Sequence, residues 1–168
     1  KKGNCMLQNK TVIVSVDPGF DRFGVAIVER DLGKDSVVFS DCIQTDKKLN
    51  FEIRLLNVIN EFETIIKNYK PEILCMESVF MHKNAKSVIN VAEIKGAVKL
   101  IAVKHGIKIV EMTPQKIKLA VAGSGVAKKD EVIKMVKLIT KHKSKTGLDD
   151  EYDAVACGLA ALAYLKTF

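Results

Sequence analysis

Tryptophan is absent from this chain, histidine occurs three times, and four cysteines lie far apart. Cys5, Cys42, Cys75 and Cys157 form no C-x-x-C pair, which argues against a zinc ribbon or a disulfide framework. Reduced thiols in a cytoplasm-like compartment are the expectation. His82, His105 and His142 fall in expected loops or helix surfaces, so none is assigned to a metal; His142, near a helix end, suits the dipole. No apolar run approaches the roughly 20 residues a membrane helix needs, and no signal-peptide pattern opens the chain. Gly123-Ser124-Gly125 lacks the Gly-Lys-Ser/Thr of a phosphate-binding P-loop and reads as a flexible joint. No repeat, low-complexity tract or linker divides the sequence.

What is present is one domain's worth of chain. Its 168 residues, 48% hydrophobic and 28% charged, can bury a core without staples. The net charge of +7 is unevenly placed. Residues 83–145 hold 15 lysines against four acids, while the remainder is slightly acidic. A basic segment beside an acidic remainder points to a polyanion, with nucleic acid ahead of a membrane surface because no amphipathic anchor stands out.

Residues 1–10 read as a flexible extension before a single domain over 11–168. The stretch TVIVSVDPGFDRFGVAIV, Thr11 to Val28, is two β-branched, alternating runs around Pro-Gly turn chemistry. It leaves Asp17 at the end of the first strand. Ser36 to Thr45 forms a third strand after the turn at Leu32-Gly33-Lys34. Near-helical apolar spacing follows over Leu49 to Tyr69, closed by Lys70-Pro71. Glu72 to Ser78 is a short strand that ends in Glu77. Helices are expected over Asn84 to His105, from Pro114 to Ala122 behind the cap Thr113, over Lys128 to His142, and from Asp149 or Asp150 to Lys166. Ile107 to Met112 is the fifth strand. This order implies an α/β fold, a mixed sheet with helices on its faces.

Asp17 and Glu77 thus share a position, each at a strand's end, where ligands gather in such sheets. Asp150 and Asp153, three apart, lie on one side of the last helix. Capping explains Asp149, Asp150 and Glu151, and Asp149 reads as the N-cap. It does not explain Asp153, which sits beyond the first turn. Asp17 taken alone could simply bond its own turn. Four carboxylates brought together repel, by roughly 4 kcal/mol per pair at 4 Å and an effective dielectric of 20. Protons or divalent cations must then neutralise them. Oxygen ligands without histidine favour Mg²⁺ or Mn²⁺ over zinc, and two such ions suit phosphodiester hydrolysis.

The motifs carry a resemblance. Asp17-Pro18-Gly19 with Gly24, then ESVFMHKNAKS (Glu77 to Ser87), TPQKIKLAVAGSGVAKKDEV (Thr113 to Val132) and DEYDAVA (Asp150 to Ala156) resemble the RuvC-type Holliday-junction resolvases, in order, over Val12 to Tyr164. The E-x-V-F-M-x-K-N-A string is the specific part. The resemblance implies a ribonuclease-H-like fold with a five-stranded sheet, three antiparallel strands plus parallel ones. It implies a homodimeric, divalent-metal-dependent endonuclease of DNA recombination and repair, making paired nicks in four-way junction DNA that leave 5′-phosphates and 3′-hydroxyls.

On the matching positions, Asp17, Glu77, Asp150 and Asp153 would be catalytic metal ligands, with Asp17 bridging two ions. Phe80 would contact or unstack bases, its alternative being a core phenylalanine. Lys118 and Lys129 would lie near the scissile phosphate, and Lys83, Lys86 and Lys128 would touch DNA; surface lysines are the alternative. Phe20 departs from the small hydroxyl residue common after D-P-G, and no basic tail follows the last helix. Whether a branch-migration motor complex cooperates stays open. The rival readings are a ribosomal-RNA-processing nuclease of the YqgF kind on the same fold, an actin-like ATPase fragment, and a binding module without chemistry.

Overall fold

Three strands come first: β1 (Lys10–Asp17), β2 (Arg22–Asp31) and β3 (Lys34–Gln44). Then follow α1 (Phe51–Tyr69), β4 (Ile73–Glu77), α2 (Ala85–Lys104), β5 (Lys108–Met112), α3 (Pro114–Ala122), α4 (Lys129–Thr140) and α5 (Asp149–Ala163). This computed structural model describes residues 10–78 and 85–165, without the side chains of residues 85–87. Among the described residues the strands form one sheet in the order β3-β2-β1-β4-β5. β1–β2 and β2–β3 are antiparallel, and β1–β4 and β4–β5 are parallel. That is the expected mixed sheet.

Local chemistry sets the boundaries. Leu32 and Gly33, at φ 48° and 79°, make the tight β2–β3 turn, whose two central residues both need positive φ. Thr113 caps α3 by accepting from the Lys116 amide, and Pro114 opens the helix. Gly123, at φ 73°, ends α3, so its place in the Gly-Ser-Gly stretch is that of a helix C-cap. α4 stops at Thr140, two residues before the expected His142, because Lys141 turns left-handed at φ 51°.

Strand alternation sorts the side chains onto two faces. Val14, Val16, Val25, Ile27, Leu74 and Met76 share a core with Val58, Phe62 and Ile66 of α1 and Ile94 and Val98 of α2. Ile13, Ala26, Val28, Ile73, Cys75 and Val110 share the other core with α3, α4 and α5. With a period of two, Asp17 follows Ile13 and Ser15 onto the α5 face, and Glu77 follows Ile73 and Cys75 onto the same face. Their strands are in parallel register, Val16 opposite Met76, one step short of the two acids.

α5 is pressed against this face. It is apolar on nearly all sides, with Ala154, Val155, Ala156, Leu159, Ala160, Ala161 and Leu162 buried between sheet and helices. Contacts recur every fourth residue. A side chain at Gly24, which pairs with Asp17, would collide with the Asp150 carbonyl. Ser15 Oγ donates to the Ala154 carbonyl at 2.7 Å. A Cβ on Gly158 would come within 2.6 Å of Ser15 Oγ and 2.8 Å of Val28 Cγ2. One helical turn rises about as far as two strand residues, so the match persists along the helix. Cys157 touches Cys75 of β4, sulfur to sulfur at 3.3 Å, both thiols free.

Gly24→Ala should therefore lift the start of α5 from the sheet. Urea unfolding should show a loss of about 1–3 kcal/mol, the usual cost of overpacking. An unchanged midpoint would mean that the helix yields without strain.

Candidate active site

The site lies where β1, β4 and the N-terminus of α5 meet. Gly24 lets the Asp150 backbone come in over Asp17, and Asp153 sits one turn before Cys157, which contacts β4. The electrostatics of Asp17 report the result. Enclosure by protein, then the carboxylates of Asp153, Asp150 and Glu77, push its pKa up to about 7, with Lys129 opposing them. The four acids proposed from sequence thus act on one another.

Two cations answer this charge. Arg22, at the start of β2, lies 3.0 Å from Asp150 Oδ2 through Nε and 3.3 Å from Asp149 Oδ1 through a terminal nitrogen. Lys129, at the start of α4, reaches Asp149 and Asp153, each at 2.7 Å. Burial raises the pKa of Asp153, and Lys129 and the charge of Lys118 pull it back. Asp149 and Asp150 diverge. Lys129 holds Asp149 down to about 2, whereas burial and its acidic neighbour push Asp150 up.

Asp149 is the first residue of α5 and not its cap, which is Leu148, without a side-chain hydrogen bond. The ion pairs to Arg22 and Lys129 draw its carboxylate aside. Nor is Glu151 a cap. It is fully buried and accepts from the hydroxyls of Ser144 and Thr146 at 2.6 Å, the amides of Lys145 and Thr146 at 2.8 and 2.9 Å, and Ser40 Oγ. Burial works to raise its pKa, but the Ser144, Ser40 and Thr146 bonds prevail and bring it to about 2. His142 does not serve the α4 dipole either. It lies past the helix, its Nε2 2.6 Å from Ser40 Oγ. Nothing in the residue pattern separated Glu151 from its acidic neighbours; the only hint was a hydroxyl-bearing loop just before it.

Phe20 stacks on Phe51, with ring centroids 4.7 Å apart, beneath the Arg54 guanidinium at 3.7 Å. Its departure from a hydroxyl residue thus anchors the D-P-G turn to α1. Arg54, itself buried, donates to Thr45 Oγ1 at 2.9 Å and Asp21 Oδ1 at 2.5 Å. Lys118 is half-buried on α3, and Lys128 lies just before α4, its amide bonded to Glu131 at 2.7 Å. Phe80, Lys83 and His82 lie outside the described residues. Lys86 is in α2, its side chain likewise outside them.

Comparison with known proteins gives this arrangement its family. The family model described as crossover junction endodeoxyribonuclease RuvC matches residues 13–161. The chain belongs to this family. The RuvC of Caldanaerobacter subterraneus is 37% identical over 88% of this chain and 89% of its own length. That of Brachyspira hyodysenteriae is 36% identical over 94% and 97%. In fold, the chain superposes on Thermus thermophilus RuvC in complex with a Holliday junction substrate with a TM-score of 0.85. That match is 24% identical and covers 94% of this chain and 96% of the other. The yeast mitochondrial Holliday junction resolvase follows at a TM-score of 0.67 and 10% identity, covering 93% and 78%.

The RuvC family is divalent-metal dependent, and the donor set fits such an ion. Asp150 Oδ2 is buried and has no hydrogen-bond partner among the described residues, its ion-pair contact being Arg22 Nε at 3.0 Å. Among the described residues, no three acidic, histidine or cysteine side chains stand at metal-holding geometry. Arg22 and Lys129 engage the acids instead, so a cation must displace or turn them.

The raised pKa of Asp17 has a sign. A carboxyl group that binds its proton more tightly when folded stabilises the protein fully below its unfolded value, about 4. That stability disappears as pH climbs through about 7. With chelator present, Asp17→Asn should melt higher than the parent at about pH 8, and the gap should close toward pH 4. Equal melting temperatures at both pH values would mean that the carboxyl group is not under strain.

Proposed function

We propose that this chain cuts four-way DNA junctions by paired, symmetric, metal-dependent nicks, leaving 5′-phosphates and 3′-hydroxyls. The observation that carries this reading is that Asp17, at a strand end, is buried beside the charges of Asp153 and Asp150 of α5 and of Glu77 at a second strand end, burial first and those carboxylates next raising its pKa to about 7. Asp17, Glu77, Asp150 and Asp153 would together hold divalent ions, Mg²⁺ or Mn²⁺, with Asp17 more deeply buried than Asp150 or Asp153. Ions held there would neutralise the carboxylates, activate water for in-line attack and stabilise the leaving oxygen. Lys118 and Lys129 flank Asp153 and would hold the scissile phosphate; Lys129 would exchange its carboxylate partners for that phosphate. The lysine-rich stretch supplies the wider field for a DNA backbone, with Phe80, Lys83, Lys86 and Lys128 as further contacts.

Two opposed cuts call for two copies, and α2 presents a face to receive one. Ile89, Ala92, Gly96, Leu100 and Val103 recur at helical spacing, with Ile89, Leu100 and Val103 58%, 69% and 65% exposed. Among the described residues nothing lies within 4 Å of a Cβ built on Gly96, so its backbone is open to close approach. A second copy of this chain, α2 against α2, would cover the stripe with two-fold symmetry. Leu100→Glu should shift the protein to monomer in light scattering and abolish paired nicking; a dimer that survived would place the contact elsewhere.

The chemistry is tested on an end-labelled mobile junction with and without Mg²⁺. Asp17→Asn and Asp153→Asn should each bind the junction near the parental affinity while cleavage falls at least a thousandfold. Cutting by either at the parental rate, or preferential cleavage of structured RNA, would overturn the reading.

A further inference from the structure

Lys95 is one of three charged residues buried among the described residues, with 5% of its surface exposed. Lysine is among the residues least often buried. Here it lies in an apolar stripe of α2, next to Ile94 and one turn before Val98. Its ammonium donates to the backbone carbonyl of Glu77 at 2.7 Å and lies 3.6 Å from Glu111 Oε2 on β5. Glu111 is also paired with Lys99, one turn along α2. Burial pulls the Lys95 pKa down, and Glu111 counters it.

Packing does not account for this choice. An apolar side chain of similar length would fill the same space without desolvating a charge, but it would leave the Glu77 carbonyl without this donor. What lysine adds is a donor at one backbone position. Glu77 ends β4, and the parallel register with β1 has already run out at Met76. On the other side, Ser78 still reaches Met112, its amide donating to that carbonyl at 2.8 Å. The backbone carbonyl of Glu77, a residue whose side chain is a proposed metal ligand, is thus received by an ammonium.

We propose that Lys95 is a positioning residue that fixes the end of β4 so that the Glu77 side chain meets Asp17 and α5 at the metal site. The inference rests on Glu77 being a ligand, as argued above. Its test has a useful sign. By charge alone, removing a cation near the acids would tighten divalent-ion binding, whereas loss of positioning loosens it. The measurement is calorimetric Mn²⁺ binding to the full chain without DNA, alongside thermal unfolding in chelator. Lys95→Met should weaken Mn²⁺ binding about tenfold while its thermal unfolding in chelator shows it still fully folded at the temperature of the titration. Lys95→Arg, which keeps charge and donor, should stay within about threefold of the parent. Glu77→Gln is the control and should also weaken binding. If Lys95→Met does not fold, Lys95→Gln replaces it under the same criterion. Unchanged or tighter Mn²⁺ binding by the neutral variant, with Glu77→Gln weakened, would overturn the role of Lys95. Parental binding by Glu77→Gln would overturn the metal-site assignment, and the inference with it.

Discussion

The close approach of α5 to the sheet is the constraint on which the rest depends. The helix has almost no side-chain volume between its axis and β1–β2. The Asp150 backbone rests over Gly24, the Ala154 carbonyl takes the Ser15 hydroxyl, and Gly158 sits against Ser15 and Val28. Because the four-residue step of the helix matches the two-residue step of the strands, these contacts fix rotation as well as distance. Asp150 is held over β2, and Asp153 falls toward β1 and β4. A bulkier residue at Gly24 would cost packing and would also move two of the four acids away from the other two.

Bringing acids together is unfavourable unless something compensates, and the protein shows how much compensation it supplies itself. Burial of Asp17, with the charges of Asp153, Asp150 and Glu77 added to it, raises its pKa to about 7. Arg22 and Lys129 take up Asp149, Asp150 and Asp153 from the solvent side. The Arg22 and Lys129 side chains are about half exposed, so their ion pairs are partly screened and individually modest. They are counter-ions that a divalent cation can displace. A fully buried salt bridge at the same place would compete with the metal far more strongly.

Much of this was legible from residues alone. β-branched alternation gave the strands, and the period of two puts Asp17 and Glu77 on one face once their strands are known to be parallel neighbours. That pairing is where single-sequence reasoning needed help, because a parallel register depends on contacts distant in the chain. Asp153 was recognisable because no helix-end argument covers it. Glu151 and Asp149 were misread for one reason. Three consecutive acids at a helix start look like dipole chemistry, and only the fold shows that Glu151 turns inward to Ser40 and Ser144 while Asp149 turns out to Arg22 and Lys129. Arg54 and Lys95 carried no signal, since a buried cation on an amphipathic helix has the same letters as an exposed one.

The three buried charges nevertheless share a pattern. Arg54 grips Phe20 and Asp21, just after Asp17. Lys95 grips the carbonyl of Glu77. Glu151 grips Ser144, Lys145 and Thr146, just before Asp150. Each acid-bearing segment is therefore tied down near its carboxylate by one charged group that desolvation makes costly and several hydrogen bonds make tolerable. Strand ends and helix starts are where a backbone runs out of ladder partners and frays. A site assembled from two strand ends and a helix start would sample many geometries without such ties. Charged groups suit this task better than apolar ones because their bonds to backbone and side-chain oxygen or nitrogen are directional, whereas packing alone leaves a segment free to slide.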